Sequence, residues 1–252
     1  MVRTELHGLP QARHRVILVG VREDIDKIPA KLEMITSPSL HDIIGTMPAL
    51  RSGISKNDNT EEWITIIKQH AGSLSKAFRK TDIALSNQFE SISSYFKSTL
   101  PESMTRGGMF VSYKESISHA GNLDWWIRNN SDPLGIVNHE SRGHMISDLQ
   151  RYLFASTYAS LYYKSPEAAE FPKSLSPNHK SWLTGAFDDR FRVQLSGIPS
   201  TTITSHISKD GHYYIHPDPH QCRSLSVREA ARLQTFPDNF FLKEIEHSSM
   251  CR

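Results

Sequence analysis

The sequence predicts a mixed fold in which an α/β part is followed by an α+β part, and three patterns support this. A short, β-branched apolar run near the N-terminus is typical of a strand buried on both faces. Two long stretches in the first half repeat apolar residues at helical spacing. Near the C-terminus, two β-prone runs flank an Asp-Gly turn. We therefore expect a piece of a buried sheet, then a mostly helical region, then a β-hairpin region.

Composition excludes several classes of protein. The chain has 252 residues and a formal net charge of +2, so charge alone does not indicate a nucleic-acid-binding protein. Its cysteines, Cys222 and Cys251, are too few for a disulfide scaffold and suit a reducing cytoplasm. No apolar run approaches the ~20 residues of a membrane span, and the N-terminus lacks the apolar core of a secretion signal. We expect a cytoplasmic protein without membrane contact.

The first candidate element is the apolar run RVILVGVR at residues 15–22, which predicts the buried strand. In an extended segment just before it, Gln11, Arg13 and Arg15 share one face, so an amide and two guanidiniums point the same way. The simplest alternative is an arginine-decorated edge strand.

The region from residue 40 to residue 101 predicts helices. Thr60, followed by Glu61 and Glu62, suits a helix start because carboxylates there meet the positive end of the helix dipole. The apolar positions that recur at helical spacing fall into three groups: Ile43, Ile44 and Met47; Trp63, Ile66, Ile67, Leu74 and Phe78; and Leu85, Phe89, Ile92 and Phe96.

Two segments in the middle of the chain leave alternatives open. The Gly- and Ser-rich segment Met104 to Gly121 is either a solvated loop or one that lies against a phosphate backbone. His139-Glu140 and His144 invite a zinc site, but histidines about five apart do not share a helical face. A polar loop is favoured there, leading into a helix from about His144 with Ile146, Leu149, Tyr152 and Leu153 inward and Arg142 and Arg151 outward.

The last third contains the hairpin and a capped helix. The runs 200–207 and 212–217 flank Lys209-Asp210-Gly211 and predict a hairpin. Beyond it, Ser226 and Glu229 form a capping-box pattern, and Pro237 stops the helix. Val227, Ala230, Ala231 and Leu233 give a narrow apolar stripe, while Arg228 and Arg232 lie one turn apart on another side, facing either solvent or one anionic surface.

Three stretches resemble DNA cytosine-5 methyltransferases. RSLSVREAARLQTFPD, from Arg223, resembles the family's ninth motif near its C-terminus. GLPQARHRVILVGVR, from Gly8, resembles the eighth, Gln-x-Arg-x-Arg leading into a late strand of the catalytic sheet. NHESRGH and the following DLQRYLFA resemble a bacterial branch with long inserts. The resemblance implies a fragment of a Rossmann-like methyltransferase sheet, followed by a mixed small domain with helices and a hairpin recognition region.

The resemblance also implies roles for individual residues. Arg13 and Arg15, with Gln11, would help to hold a flipped cytosine and its phosphate, as guanidiniums donate paired hydrogen bonds. The recognition region would lie in the major groove of duplex DNA, although each of its residues taken singly also fits an ordinary exposed side chain. The DNA-binding candidates are Arg190, Arg192, Thr202, Thr204, Ser205, His206, Lys209, His212, Arg223, Arg228 and Arg232.

The family's catalytic motifs do not occur in this sequence. The reaction needs a cysteine thiolate, a carboxylic acid and the methyl donor S-adenosyl-L-methionine, which the family supplies through Pro-Cys-Gln, Glu-Asn-Val and Phe-x-Gly-x-Gly. Cys222 lacks the preceding proline and is not a credible nucleophile. The family's run after the ninth motif is missing too. No metal is implied.

We therefore predict the C-terminal, target-recognising part of a restriction-modification methyltransferase, inactive alone and completed by a second polypeptide. The expected ranges are 1–35 for the end of the catalytic domain, 36–185 for a mostly helical insert, and 186–252 for the recognition hairpin and its supporting helix. The alternatives are a non-catalytic, sequence-selective DNA-binding module, a truncated gene remnant and, more remotely, a metal hydrolase using His139 and His144.

Overall fold

The computed structural model describes residues 1–112, 121–128, 135–177, 182, 190–209 and 211–243. Within these residues the fold is mixed, with six α-helices and eight short strands that pair two by two. The mixed α and β character predicted from the sequence is therefore confirmed. No helix in these ranges combines the length and the hydropathy that crossing a membrane requires.

The helices are α1 (Leu40–Ile44), α2 (Thr60–Phe78), α3 (Ile83–Ser98), α4 (Asn122–Arg128), α5 (Ile146–Tyr162) and α6 (Val227–Leu233). The strands are β1 (Val2–Arg3), β2 (Gln11–Ala12), β3 (His14–Arg15), β4 (Gly53–Ile54), β5 (Gly107–Ser112), β6 (Gly135–Glu140), β7 (Gly143–His144) and β8 (Ser200–Thr201).

The larger hydrophobic core lies between α2, α3 and α5. Helices α2 and α3 form where the apolar spacing predicts them, and Asn59 and Asp82 cap their N-termini through side-chain oxygens. Helix α2 begins at Thr60, as predicted, with Asn59 as its N-cap. Trp63 is fully buried and packs edge-on against Phe96, with the ring centroids 5.5 Å apart. The predicted inward face of α5 is confirmed except at Ile146, which is 44% exposed.

A smaller core joins α1 to α6. Its buried members come from distant parts of the chain: Leu40, Ile43, Ile44, Met47, Ile127, Ile136, Ile203, Tyr214, Leu225, Ala230 and Leu233. Helix α6 lies against β6 and α1, and Ile203 and Tyr214 also join this core. Each core draws on segments before and after residue 185, and the three ranges expected from the sequence stay predictions.

The predicted strand at residues 15–22 is wrong beyond Arg15. Strand β3 ends at Arg15 and pairs only with the two residues of β1. The side chains that follow are in water: Val16 is 71% exposed, Ile17 61%, Leu18 92% and Val19 66%. A strand of this composition needs neighbours on both edges and cover on both faces, and the described residues supply neither.

The predicted hairpin is also wrong, as far as the described residues show. Strand β8 pairs in parallel with β2 instead, and residues 205–208 and 211–213 form short 3-10 turns. Ile215 makes isolated bridges to Val193 and Ser224. Asp210, at the centre of the predicted turn, lies outside the described residues. The local β propensity indicated an extended backbone. The hydrogen bonds of that backbone are instead made with segments far away in the sequence.

Strands also replace two predicted loops, the Met104 to Gly121 segment and the polar loop around His139. Within the Met104 to Gly121 segment, β5 pairs antiparallel with β6, which carries His139. Gly107 begins β5 at a φ of +76°, and a Cβ there would lie 2.0 Å from the carbonyl oxygen of His139. Residues 113–120 of that segment lie outside the described part.

Candidate nucleic-acid interface

The pairing of β2 with β8 joins two segments that are far apart in the sequence. Gln11 is in register with Ser200, and Ala12 with Thr201. The Ser200 backbone N–H donates to the Pro10 carbonyl at 2.9 Å, and the Thr202 hydroxyl donates to the Ala12 carbonyl at 2.6 Å. The residues 200–209, which we call the recognition segment, are thereby fixed to the Gln-x-Arg-x-Arg segment.

An open cleft of about 690 Å³ lies along this junction. It brings together four of the predicted DNA contacts, and the N-terminal segment adds Ala12 and His14 to its wall. The predicted contacts that line it are Arg192, Thr202, Thr204 and His206. Thr204 and His206 are exposed, while Arg192 and Thr202 are half-buried. We call this space the recognition cleft.

Two side chains that the sequence did not single out hold the wall of the cleft. The buried Gln194 amide donates to the Thr201 hydroxyl at 3.0 Å and accepts from the Thr201 backbone N–H at 3.0 Å. The Tyr214 hydroxyl accepts from the Thr204 backbone N–H at 3.2 Å and lies 3.0 Å from the Thr204 hydroxyl. A polar side chain at an inward position of an extended run is the only sequence signal that indicates such a role.

The remaining recognition candidates lie in different places. Ser205 and Lys209 are exposed on the turn that follows Thr204. His212 is half-buried, with its Nδ1 2.9 Å from the Tyr152 hydroxyl, and packs against aromatic rings away from the cleft wall. Arg190 is half-buried outside the set of residues that line the cleft.

The three residues of the Gln-x-Arg-x-Arg segment do not present one common face. Gln11 is buried, and its amide donates to the Leu233 carbonyl at 3.4 Å. Arg13 is half-buried and donates to the Ile203 carbonyl at 3.4 Å. Arg15 is exposed. Gln11 and Arg13 line a second, smaller hollow of about 170 Å³ beside the end of α6.

Three arginines that we expected at DNA are buried instead. Arg223 is 1% exposed, Arg228 0% and Arg232 1%. Arg223 forms a two-pronged ion pair with Glu229, with N–O distances of 2.6 and 2.7 Å. Because their guanidiniums are enclosed by protein, the expected DNA contacts of these three residues are wrong.

The other two arginines hold the chain after α6. Arg232 pairs with Asp238 through N–O distances of 2.8 and 2.7 Å. The Arg228 guanidinium donates to the carbonyls of Val137, Pro237 and Phe240. The expectation that both face one anionic surface fails because the carboxylate and the carbonyls that engage them belong to the protein itself.

The predicted capping box at the start of α6 is confirmed. The Ser226 hydroxyl accepts from the Glu229 backbone N–H at 3.1 Å, and the Glu229 carboxylate accepts from the Ser226 N–H at 2.7 Å. Burial alone would raise the pKa of Glu229, but the adjacent Arg223 guanidinium outweighs it and holds the pKa below its usual value. The helix ends at Leu233, with Gln234 as its C-cap, four residues before Pro237.

The two histidines considered for a metal are engaged with protein groups. The rings of His139 and His144 bond to different partners: His139 lies 2.9 Å from the Ser226 hydroxyl and 2.8 Å from the Pro48 carbonyl, and His144 lies 3.4 Å from the Ser224 hydroxyl. Burial lowers the pKa of His144 to about 3. In the ranges that the structure covers, no three His, Cys, Asp or Glu side chains cluster as metal ligands.

Cys222 is buried, and its thiol lies 3.0 Å from the Leu149 carbonyl. Burial raises the pKa of the thiol. A thiol that stays protonated is not a nucleophile, so this cysteine is unsuited to attack a base.

The described residues show no extended parallel sheet of the kind that binds S-adenosyl-L-methionine. In doubly wound sheets such a cofactor binds outside the carboxyl ends of parallel strands, where the strand order reverses. The parallel pairs described in this chain, β2 with β8 and β4 with β7, are two residues long and belong to separate sheets.

Comparison with known proteins places these observations in one family. A family model described as C-5 cytosine-specific DNA methylase matches residues 1–251. The type II methyltransferase M.Bpa9945I of Bacillus paralicheniformis is 46% identical over 109 residues, which are 43% of this chain and 24% of that protein. The putative type II methyltransferase M.OihORF3336P of Oceanobacillus iheyensis is 24% identical over 254 residues, covering 92% of this chain and 52% of that protein. The matched regions span about half or less of the length of these curated relatives. No solved structure matches it.

Proposed function

Because the chain belongs to the C-5 cytosine-specific DNA methylase family, we propose that it is the target-recognising, C-terminal part of a DNA cytosine-5 methyltransferase of restriction-modification type. The observation that carries the proposal is the parallel pairing of β2 with β8. It fixes the Gln-x-Arg-x-Arg segment directly beside the recognition segment, and the recognition cleft lies along the junction. The relatives of this chain that are named type II methyltransferases agree with that role.

The chemistry of the cleft suits duplex DNA. The exposed side chains of Thr204 and His206 offer a hydroxyl and an imidazole group. Such groups can donate hydrogen bonds to base edges in the major groove and accept hydrogen bonds from them. Arg192 in the cleft, and Lys209 on the turn beside it, supply positive charge for phosphates. Contacts to phosphates set the position on the duplex and do not read its sequence. The Thr202 hydroxyl is engaged by the Ala12 carbonyl, so its main role is to hold the segment.

The second part of the proposal is that this chain methylates DNA only with a further polypeptide. Pro-Cys-Gln, Glu-Asn-Val and Phe-x-Gly-x-Gly do not occur in its sequence, and the buried Cys222 does not replace the nucleophile. The exposed β-branched run at residues 16–21 is suited to join a parallel sheet supplied by that polypeptide. The joint enzyme would flip a cytosine from the duplex and transfer a methyl group to its carbon five from S-adenosyl-L-methionine.

The first experiment measures DNA binding by the purified chain. We expect it to bind duplex DNA with an affinity that falls as salt rises, and to select a preferred sequence from a random duplex pool. Thr204→Val should weaken that preference, since Thr204 is exposed at the cleft. Thr65→Val, which changes an exposed threonine on α2, is the matched control. A wild-type chain that does not bind DNA would refute the recognition role.

The second experiment measures transfer of a labelled methyl group from S-adenosyl-L-methionine to DNA. We expect no transfer by the chain alone, and transfer after co-expression with a neighbouring reading frame that encodes Pro-Cys-Gln and Glu-Asn-Val. Transfer by the chain alone would refute the inactivity. Selective binding without transfer in any combination would favour the alternative, a DNA-binding module without chemistry.

A further inference from the structure

Two histidine rings lie against the buried Arg223–Glu229 ion pair that supports α6. His139, on β6, is fully buried, and His216 is buried on the segment that precedes Arg223. The Nε2 atom of His216 lies 3.7 Å from a Glu229 carboxylate oxygen. The Nδ1 atom of His139 lies 2.9 Å from the hydroxyl of Ser226, the N-cap of α6. Both rings therefore contact the groups that hold this helix in place.

The hydrogen bonds of His139 require a neutral ring. The Pro48 carbonyl, 2.8 Å from Nε2, can only accept, so Nε2 carries the ring hydrogen. Nδ1 then accepts from the Ser226 hydroxyl, whose oxygen in turn accepts from the Glu229 backbone N–H at 3.1 Å. A proton added at Nδ1 would turn this atom into a donor. The hydrogen of the Ser226 hydroxyl would then lose its acceptor inside the protein, which is costly.

The ring of His216 is held in the same form. The Asp218 backbone N–H donates to Nδ1 at 3.1 Å. Nδ1 is therefore an acceptor, and the hydrogen of the neutral ring is on Nε2, which faces Glu229. A proton added at Nδ1 would bring two donors together. Each ring thus has one nitrogen whose partner opposes a second ring proton.

The charges around the two rings also favour the neutral form. The charged side chains that face the rings already have partners: Arg223 pairs with Glu229, Arg232 pairs with Asp238, and Asp218 bonds to His220 and Gln221. A proton on either ring would add an uncompensated positive charge out of water, and two protonated rings would repel each other. Burial accordingly lowers the pKa of His216 to about 4 and also lowers the pKa of His139.

His216 connects this group of side chains to the recognition segment. Its backbone N–H donates to the Arg223 carbonyl at 2.9 Å, which joins the two sides of a short ribbon. Tyr214 precedes His216 on this ribbon, and its hydroxyl accepts from the Thr204 backbone N–H. The ribbon that carries the His216 ring therefore also holds Thr204 in place.

We propose that His139 and His216 are positioning residues for the recognition segment and act only as neutral rings, so that acid loosens the segment and weakens its selection of a DNA sequence. The pKa values of both rings lie below the ordinary histidine value of about 6.5. The stability that depends on the neutral rings is therefore complete above about pH 6.5 and is lost as the pH falls below it. The link to DNA rests on the proposed function, whereas the state of the rings does not.

The first test observes the rings directly in the wild-type chain. The chemical shifts of the ring nitrogens, measured by NMR, distinguish a charged ring from a neutral one and report which nitrogen carries the hydrogen. We expect both rings to be neutral, with the hydrogen on Nε2, in the folded chain between about pH 7.5 and about pH 5.5. A charged ring at the lower pH, or a hydrogen on Nδ1 at the higher pH, would overturn the proposal.

The second test compares urea unfolding at the same two pH values. A histidine that is neutral in the folded chain and titrates freely in the unfolded chain raises the unfolding equilibrium constant by about tenfold over this range. His139→Gln and His216→Gln should each lack this contribution, so their unfolding should depend less on pH than that of the wild type. His41→Gln, which removes an exposed histidine on α1, should keep the wild-type dependence. The same pH dependence in the wild type and all three variants would contradict the proposal.

The third test connects the rings to recognition. The ratio of the affinities for the preferred duplex and for a random duplex should fall on acidification in the wild type and fall less in His216→Gln. His206 of the cleft is present in both proteins, so its own titration cancels in this comparison. An equal fall in both proteins would mean that the ring stabilises the fold without positioning the segment, which sinks the proposal. A wild-type chain that selects no sequence at the higher pH would refute the proposed function, while the first two tests still decide the state of the rings.

Discussion

At the scale of single residues, the arginines of the RSLSVREAARLQTFPD stretch act inside the protein. Arg223 and Glu229 form a buried pair that is also joined to the Gln221 side chain by a 2.6 Å hydrogen bond. The same Glu229 carboxylate completes the cap of α6. One carboxylate therefore neutralises a buried charge and satisfies a helix terminus.

The double role of Glu229 leads to unequal effects of two substitutions. Ser226→Ala removes one cap hydrogen bond and should lower the free energy of unfolding by about 1 kcal/mol. Glu229→Ala also leaves Arg223 buried without its partner, so we expect a loss of about 3–5 kcal/mol. Urea unfolding measures both values. Equal losses in the two variants would show that the ion pair contributes nothing beyond the cap.

At the scale of elements, the recognition segment is held from behind. Gln194 fixes Thr201, Tyr214 fixes Thr204, and β2 fixes Ser200. A segment held at three points keeps its exposed side chains in one arrangement, which would reduce the ordering cost of the proposed DNA binding.

Removing one of these holds tests that arrangement. Tyr214→Phe deletes the hydroxyl that bonds to Thr204. We expect the binding free energy to weaken by about 1 kcal/mol, which lowers the affinity for the preferred duplex roughly fivefold. Competition between the preferred duplex and a random duplex measures the effect. Tyr163→Phe, at a side chain that is 84% exposed beyond α5, is the control. Unchanged selectivity in Tyr214→Phe would mean that the segment does not depend on this hydroxyl.

The sequence predicted the elements whose determinants are local. Helices α2 and α3 follow from apolar spacing and polar caps within one stretch of chain, and the Ser226–Glu229 box follows from four consecutive residues. Strand partners were not predictable in this way. Ser200 pairs with the N-terminal segment 190 residues away, and nothing in the β propensity of residues 200–207 indicates that partner.

The candidate site was predicted in part, for the same reason. Thr204, His206 and Lys209 lie on the surface, as expected for the polar stretch that contains them, and their contact with DNA stays a prediction. Arg223, Arg228 and Arg232 were misplaced because the sequence does not show which carboxylates and backbone carbonyls reach them. Gln194 was missed because its contact with Thr201, seven residues away, depends on how the chain bends between them, which residue types alone do not show.

At the scale of the whole molecule, the exposed apolar run at residues 16–21 should tolerate substitutions that the two hydrophobic cores do not. Ile17→Lys with Leu18→Lys changes side chains that are 61% and 92% exposed, so the free energy of unfolding should stay within about 0.5 kcal/mol. Leu153→Ala, at a fully buried position, should lose about 2–5 kcal/mol. Thermal and urea unfolding compare the two.

The double variant Ile17→Lys, Leu18→Lys should abolish methylation in the co-expressed enzyme, because charged side chains oppose burial in a parallel sheet. Retained methylation would show that residues 16–21 are not part of the joint sheet. Loss of stability in the chain alone would show instead that the run already packs within this molecule.

The pairing of β2 with β8 has a consequence for the order of events during synthesis. The cleft needs contacts that close a loop of 190 residues, from Pro10 to Ser200. Contacts of such long sequence separation form slowly, because loop closure must precede any gain from them. On the ribosome, residues 10–12 emerge well before residues 200–202 and wait for them. The cleft therefore forms only after residues 200–202 have been made.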